Sequence, residues 1–370
     1  MRVLMLSKAC IVGAYQRKLE EIAARAPEMT LVVATPPSWR EGRSVTRLEL
    51  AHTRGYRLEV LPMAFNGQFH LHFYPTFSRL IRDFRPDIVH IDEEPYNLAT
   101  YLANRQARRC GAKTLWFSWQ NLLRRYPSPF AWIERYNLRH IDYAIAGSAT
   151  AAEVWRRKGY TGPLTVIPQF GVDTDIFLPS VVARSDEPGD AIHIAYAGRL
   201  VPEKGIDLLL EALSGLDGPW RATIQGSGPM EARLRDLARV HNLTERVVFR
   251  SPVPSVDMPA FYRTLDVLVL PSRTQKNWAE QFGRVLVEAM ACGVAVVGST
   301  AGEIPHVIGD AGIVFPENDV QALRAALARL IHAPSLRRDL RTQGRARVLA
   351  QFTQQHVALE TLRVYREMLA

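Results

Sequence analysis

Short β-rich apolar runs alternate with helix-length amphipathic segments along almost the whole chain, and this rhythm constrains the fold more than any other feature. A strand that is apolar throughout is buried on both faces, which happens in parallel sheets covered by helices. In the first half the pattern predicts strands at Arg2–Ser7, Thr30–Ala34, Arg57–Leu61, Asp87–Ile91, Lys113–Ser118, Tyr143–Ala146 and Leu164–Ile167. Helical stretches at Gln16–Ala26, Pro75–Phe84, Asn97–Arg109 and Ala149–Lys158 lie between them. Gly171-Val172-Asp173 then leads to a largely polar, aperiodic stretch, Ser180–Asp190, containing Pro188 and Gly189. It reads as an interdomain linker.

The rhythm restarts with strands at Ile192–Ala197, Arg221–Gln225, Arg246–Phe249, Val267–Leu270, Ala295–Val297 and Ile313–Phe315. Helices are predicted at Ile206–Leu213, Met230–His241, Gly283–Ala291 and Val320–Leu330, with basic helical segments at Ser335–Gln351 and Thr353–Met368. The fold class is α/β: two Rossmann-like domains facing a central cleft, where open α/β sheets bind their ligands. The expected division is an N-terminal domain over 1–175, a linker over 176–190, a C-terminal domain over 191–350 and a final segment over 351–370. A chain of 370 residues suits two domains of ordinary size.

Composition narrows the class of function. No apolar run is long enough to span a bilayer, and Met1–Ser7 is too short for a signal-peptide core. Cys10, Cys110 and Cys292 are too scattered for a disulfide framework or a zinc site, and each is read as a buried thiol. A cytoplasmic setting follows. The net charge of +9 favours anionic partners: nucleotide phosphates, nucleic acid or an acidic membrane surface. The basic residues are spread along the chain and no DNA- or RNA-recognition module is present, so nucleic acid is not an expected partner.

The strongest chemical signal is the run Trp278 to Gly293, in which Glu280 and Glu288 stand eight positions apart across a turn and a helix start. Gly283 permits a tight turn, and the NH groups of Gln281, Phe282 and Gly283 would point outward at a helix N-terminus, a natural anion site. Glu288 is expected about two turns inside the helix. Two acids on a helix ordinarily mark a solvated face. Here Ala289–Gly293 is small and apolar, so the helix is buried and a buried Glu288 needs a partner. The second signal is Gly198-Arg199-Leu200-Val201-Pro202-Glu203-Lys204-Gly205, between a strand and a helix. A tight turn there aims the Arg199 fork and the Lys204 point charge at one diphosphate.

Together these runs resemble the retaining glycosyltransferase family 4, of GT-B fold. Gln225-Gly226-Ser227-Gly228-Pro229 and Asp266-Val267 with Pro271-Ser272 are similar to further landmarks of that family. The resemblance implies that Arg199 and Lys204 bind the donor diphosphate, and that Glu280 binds donor-sugar hydroxyls with the Gln281–Gly283 backbone. It further implies that Glu288 binds the ribose, that Val253 in Ser251–Pro254 lines the base pocket, and that the final helix crosses back onto the N-terminal domain. Arg199, Lys204 and Glu280 are thus the expected catalytic residues. The loop after the first strand departs from the family's glycine pair and keeps only Gly13, expected to touch phosphate. Where many relatives carry a histidine, this chain has Ser118-Trp119-Gln120-Asn121. Retaining transfer in this fold needs no enzyme nucleophile, because the leaving phosphate can accept the acceptor's proton, so the departure leaves the acceptor open.

Glu93, Glu94 and Tyr96 follow a strand end and are candidate acceptor contacts, joined by Trp119 and Gln120; two solvated acids before a helix are the ordinary alternative. Asp173-Thr174-Asp175 has the Asp-X-Asp form of a metal motif but reads as a turn or cap, and no metal or other cofactor is expected. Phe65, Phe69, Phe73, Tyr74, Phe77, Arg79 and Arg82, with Arg124, Arg125, Tyr126, Phe130 and Trp132, form either an interfacial patch for peripheral contact with an anionic membrane or core aromatics beside surface arginines. The expected function is transfer of a sugar, with retention, from a nucleotide-sugar donor to a glycan, lipid-linked or small-molecule acceptor, a UDP-sugar being favoured over a GDP-sugar. The alternatives are a nucleotide-sugar 2-epimerase of the same fold and a catalytically silent nucleotide-sugar-binding protein.

Overall fold

The computed structural model describes residues 1–42, 44–180 and 189–370, and it divides into two units. The first comprises Met1–Gly171 with Gln354–Ala370, the second Val172–Thr353. Ile176–Ser180, expected in a linker, therefore group with the second unit, and residues 181–188 of that stretch lie outside the described residues.

The first unit contains β1 (Arg2–Ser7), α1 (Arg17–Arg25), β2 (Thr30–Thr35), β3 (Ser38–Glu41), β4 (Ser44–Arg47), β5 (Arg57–Val60), α2 (Phe77–Phe84), β6 (Ile88–Asp92) and α3 (Leu98–Arg109). It continues with β7 (Lys113–Ser118), α4 (Phe130–Arg139), β8 (Tyr143–Ala146), α5 (Ala149–Arg157) and β9 (Leu164–Val166). Seven parallel strands form one sheet in the order β5-β2-β1-β6-β7-β8-β9. Val3 pairs with Leu31 on one side and Ile88 on the other, which places β1 in the interior of the sheet. Successive side chains of a strand point to opposite faces. Val3 and Met5 accordingly join Leu19, Ile22, Val357 and Tyr365 in one core, while Leu4 and Leu6 join Phe77, Ile81, Val89 and Ala103 in another.

The second unit runs β10 (Ile192–Ala197), α6 (Ile206–Ser214), β11 (Trp220–Gln225), α7 (Glu231–Val240), β12 (Val247–Arg250), α8 (Met258–Tyr262), β13 (Val267–Leu270) and α9 (Arg284–Ala291). It ends with β14 (Ala295–Ser299), α10 (Ile304–Ile308), β15 (Ile313–Phe315), α11 (Val320–His332) and α12 (Pro334–Gln351). Its six parallel strands lie in the order β12-β11-β10-β13-β14-β15. Both sheets thus reverse direction at one point, between β1 and β6 and between β10 and β13, as doubly wound sheets do. The two Rossmann-like sheets predicted from the rhythm are present. The last helix, α13 (Gln354–Leu369), belongs to the first unit, where it packs on α1 and the Tyr365 hydroxyl lies 2.7 Å from His90 Nδ1.

Helix starts follow local chemistry. Ser148 Oγ accepts from the Ala151 amide at the head of α5, and Asp319 Oδ1 from Ala322 at the head of α11, each satisfying an amide the helix itself leaves without a partner. The antiparallel hairpin β3–β4 has no counterpart in the predicted elements. Cys10 and Cys292 are buried, but Cys110 is exposed, because it closes α3 where the chain turns back to solvent through Gly111. Tyr74 and Phe77 belong to the core, whereas Phe65, Phe69 and Trp132 are exposed, so the aromatic run divides between the two readings. Among the described residues no helix is long and apolar enough to cross a membrane.

Candidate active site

In the second unit the carboxyl ends of β10 and β13 lie side by side at the sheet's reversal, and the predicted donor residues emerge there. After β10 the chain turns through Gly198 to Arg199, whose carbonyl accepts from the Tyr196 hydroxyl at 2.8 Å. The Arg199 side chain is 68% exposed and lies 3.6 Å from Glu203, so its charge is available to a ligand. A short 3-10 turn, Pro202–Lys204, is ended by Gly205 in the left-handed region at φ 65°. A side chain at Gly205 would meet the Pro271 carbonyl at 2.0 Å, so glycine is required where these two loops cross. The landmark glycines play a similar bracing part: a Cβ at Gly226 would lie 1.8 Å from the Gly198 carbonyl, and Leu200 N donates to Ser227 at 2.8 Å.

Lys204 Nζ lies 2.5 Å from Glu280 Oε2, and Ser272 Oγ donates to the same oxygen at 3.0 Å. The Lys204 ammonium also sits 4.9 Å from the Trp278 ring, whose backbone pairs with Gln275 in a tight turn. The Glu280 backbone is pinned from behind, its carbonyl accepting from Glu303 N at 3.0 Å. Arg273 holds the neighbouring loop by an ion pair to Asp207 at 2.6 Å and by its backbone NH, which donates a hydrogen bond to the Glu203 carbonyl. Lys204 and Glu280, which stand 76 positions apart in sequence, are thereby brought into one prebuilt pair.

Gly283 caps α9 with φ 81°, and Phe282 turns its ring edge-on to Phe352. Helix α9 begins at Arg284, so Glu288 stands little more than one turn inside it, not the two expected from the sequence. Glu288 is buried as predicted. It accepts from the Tyr262 hydroxyl and from Arg284 Nε, each at 2.8 Å, and burial holds its carboxyl above the usual range against the pull of Arg284. Val253 is exposed in the loop after edge strand β12.

The first unit gathers its candidates at the carboxyl ends of β1, β6 and β7. Glu93 is buried, with His72 Nε2 3.3 Å and Lys8 Nζ 4.0 Å from its oxygens and Tyr74 donating at 3.4 Å. Burial opposes its charge, but Lys8, His72 and Tyr74 outweigh burial and hold the carboxyl down to about 2. Glu94 faces the other way. It accepts from Ser118 Oγ at 2.5 Å and Trp119 N at 2.8 Å, and burial pushes it up to about 7 against those bonds. Glu94 thus fastens the loop after β7.

The Tyr96 ring packs tilted against that of Tyr126, their centres 4.3 Å apart, and Gln120 spends its side chain on the Leu122 carbonyl and the Tyr126 hydroxyl. Both hold the loop in place. Trp119 Nε1 donates to Gln169, which in turn donates to Asp92. Gly13 is buried, and its NH donates to Glu49 Oε2 at 2.7 Å, while a Cβ there would lie 2.8 Å from that of Ala51. Its glycine character is thus accounted for by the close passage of 49–51. Asp173 Oδ1 accepts from Asp175 N at 3.0 Å, the turn geometry expected of that motif.

Residues 181–347 match the family model described as Glycosyl transferases group 1, and residues 12–169 match that of the Glycosyl transferase 4-like domain. The two matched regions are thus a group 1 glycosyl transferase domain and a glycosyl transferase 4-like domain. Among its curated relatives, the GDP-mannose-dependent alpha-(1-6)-phosphatidylinositol monomannoside mannosyltransferase of Mycolicibacterium smegmatis is 35% identical over 47% of this chain and 49% of its own length. The D-inositol 3-phosphate glycosyltransferase of Saccharomonospora viridis is 33% identical over 56% of this chain and 50% of its own. The chain thus spans about half the length of the curated relatives it matches. Its fold is similar over the whole chain to that of Anabaena HepE in complex with UDP, with a TM-score of 0.75 at 18% identity, 99% of this chain and 100% of that one being covered.

In the group 1 glycosyl transferase domain the Lys204–Glu280 pair is signalled by its motifs, and Ser272 and Trp278 stand inside runs those motifs delimit. The first unit was less readable. Lys8, Trp39, Phe69 and His72 were not among the predicted site residues, although Lys8 and Trp39 contact one another and Lys8 approaches Glu93. Lys8 stands in the first βα loop, the one position whose chemistry could have been noticed from sequence.

Proposed function

We propose that this chain is a retaining, metal-independent glycosyltransferase whose second unit takes a nucleoside diphosphate sugar and whose first unit takes the acceptor. The observation that carries the reading is the Lys204–Glu280 pair, held at the reversal point of the second sheet with Arg199 exposed beside it. As the glycosidic bond breaks, negative charge grows on the leaving diphosphate, and the fixed Lys204 and Arg199 cations stabilise it. Glu280 accepts bonds from the hydroxyls of the transferred sugar, backed by the Gln281–Gly283 backbone. Glu288 engages the ribose, with Val253 beside the base. The leaving phosphate takes the acceptor's proton, so no enzyme nucleophile is required.

The family resemblance puts a UDP-sugar first, while relatives named for GDP-mannose make that donor its direct competitor. The setting we infer is cytoplasmic, with peripheral contact to anionic membrane through exposed Leu123, Arg124 and Arg125.

Calorimetric titration with UDP and with GDP in the presence of a chelator tests the reading on the wild type and on an Arg199→Ala/Lys204→Ala variant. One nucleotide is expected to bind, unaffected by chelation, and to lose its affinity in the variant. Failure of both nucleotides to bind would remove the donor site. Loss of binding on chelation would refute metal independence.

A further inference from the structure

The hairpin β3–β4 places Trp39 over the carboxyl ends of β1 and β6, where the first sheet reverses. Asn66 fixes it there, accepting from Arg40 N at 2.9 Å and donating to the Ser38 carbonyl at 3.0 Å. Lys8 Nζ then lies 4.0 Å from the centre of the Trp39 ring and 4.5 Å from that of Phe69. Its one ion-pair partner among the described residues is Glu93, at the long distance of 4.0 Å, and its side chain is 16% exposed. Within the described residues the ammonium donates no hydrogen bond, in contrast to Lys204 at 2.5 Å from its own carboxylate. Ring faces attract a cation but leave its N–H donors unanswered. A mostly buried ammonium with unanswered donors, at the reversal point of an open α/β sheet, stands where such sheets bind ligands.

The pairing of charges selects the ligand. An ammonium only donates and an ionised carboxylate only accepts. A phosphate, which accepts, would satisfy Lys8 and be repelled by Glu93. A sugar hydroxyl both donates and accepts, so two neighbouring hydroxyls can answer Lys8 and Glu93 together. The rings of Trp39 and Phe69 offer large apolar faces beside that pair, and the C–H face of a pyranose can pack on such a surface. His72, wholly buried, with Nδ1 2.9 Å from the Phe69 carbonyl and Nε2 beside Glu93, ties the aromatic wall to the carboxylate.

We infer that Lys8, Glu93, Trp39 and Phe69 form a subsite for a neutral sugar, which makes the acceptor a glycan end presenting adjacent hydroxyls. The inference rests on the reading above that the first unit takes the acceptor.

A printed array of neutral oligosaccharides, with phosphorylated and uronic-acid-bearing counterparts, tests it on the full chain, as wild type, Trp39→Ala, Trp39→Phe and Lys8→Gln. UDP and GDP binding is measured on the same samples, so failure of the donor reading registers separately from failure of the subsite. The wild type is expected to retain neutral glycans, Trp39→Ala and Lys8→Gln to weaken retention by about tenfold or more, and Trp39→Phe to recover most of it. Retention confined to phosphorylated or acidic glycans overturns the inference, as does the absence of any glycan signal or retention unchanged in both Trp39→Ala and Lys8→Gln. Should Trp39→Ala fail to fold, Lys8→Gln, which removes the charge and keeps the hairpin, decides alone.

Discussion

Gly302→Ala reaches the candidate chemistry without touching any predicted ligand-binding side chain. Gly302 has φ +56°, and an added Cβ would sit 2.1 Å from the Glu280 carbonyl oxygen and 2.9 Å from its nitrogen. The left-handed conformation alone costs alanine roughly 1–2 kcal/mol. Restoring ordinary contact moves the Glu280 backbone by on the order of 1 Å. That shift stretches the bond from Glu303 N to the Glu280 carbonyl, 3.0 Å long, which contributes about 1 kcal/mol. The expected destabilisation is therefore about 2–3 kcal/mol by chemical denaturation. A displacement of that size in a positioned group lowers turnover by about 100-fold. Glu288 and Val253 stand outside the strained loop, so nucleotide affinity should change only a few-fold. The control is Gly42→Ala, at nearly the same φ of +57° but with no atom of the described residues, its chain neighbours aside, within 4 Å of the added one. It isolates the backbone cost. If Gly302→Ala matches Gly42→Ala in stability and the wild type in turnover, the contact does not place Glu280.

Three further outcomes are expected. Lys204→Met leaves the mostly buried Glu280 carboxylate without its cation and should cost about 2 kcal/mol of stability, with nucleotide affinity at least about tenfold weaker by calorimetry; undiminished affinity removes Lys204 from the diphosphate site. Because burial raises Glu94 from the ordinary 4.5 to about 7, the folded chain holds a proton there that the unfolded chain releases, and this group's contribution falls as pH rises through that window, by up to about 3 kcal/mol. Denaturation at pH 5 and pH 8 should show a shallower loss in Glu94→Gln, and an unchanged slope would refute the assignment. Tyr365→Phe leaves the buried His90 Nδ1 without its partner, costing about 1–3 kcal/mol, and should speed amide exchange in α13.

Strands such as Ile192–Ala197 and Val267–Leu270 were legible because burial on both faces demands an unbroken apolar run. The hairpin Ser38–Glu41 with Ser44–Arg47 was not, since it lies on the surface, mostly exposed, and carries no apolar alternation. Helix α4 escaped for a related reason: Pro127 and Pro129 interrupt the pattern before it, and Phe130 and Trp132 read as patch or core aromatics rather than as a helix. The Lys204–Glu280 meeting was foreshadowed because each residue stands in its own strand-end motif. The gathering of Lys8, Trp39, Phe69 and Glu93 was not, since four separate segments supply it and none has a periodic signature. Gly13 shows the converse: a loop glycine suggests a ligand, yet Glu49 takes its amide and Ala51 its space.

Val357, Leu362, Val364 and Tyr365, from the last seventeen residues, lie in the same core as Val3 and Met5 from the first strand. On a ribosome the first sheet therefore emerges with one apolar face covered only in part, by α1, and waits while the whole of Val172–Thr353 is made. The middle of the chain can close its own core first, and the beginning matures last. A translation stop that deletes only the final helix would spare the second unit and leave the opening sheet as aggregation-prone surface.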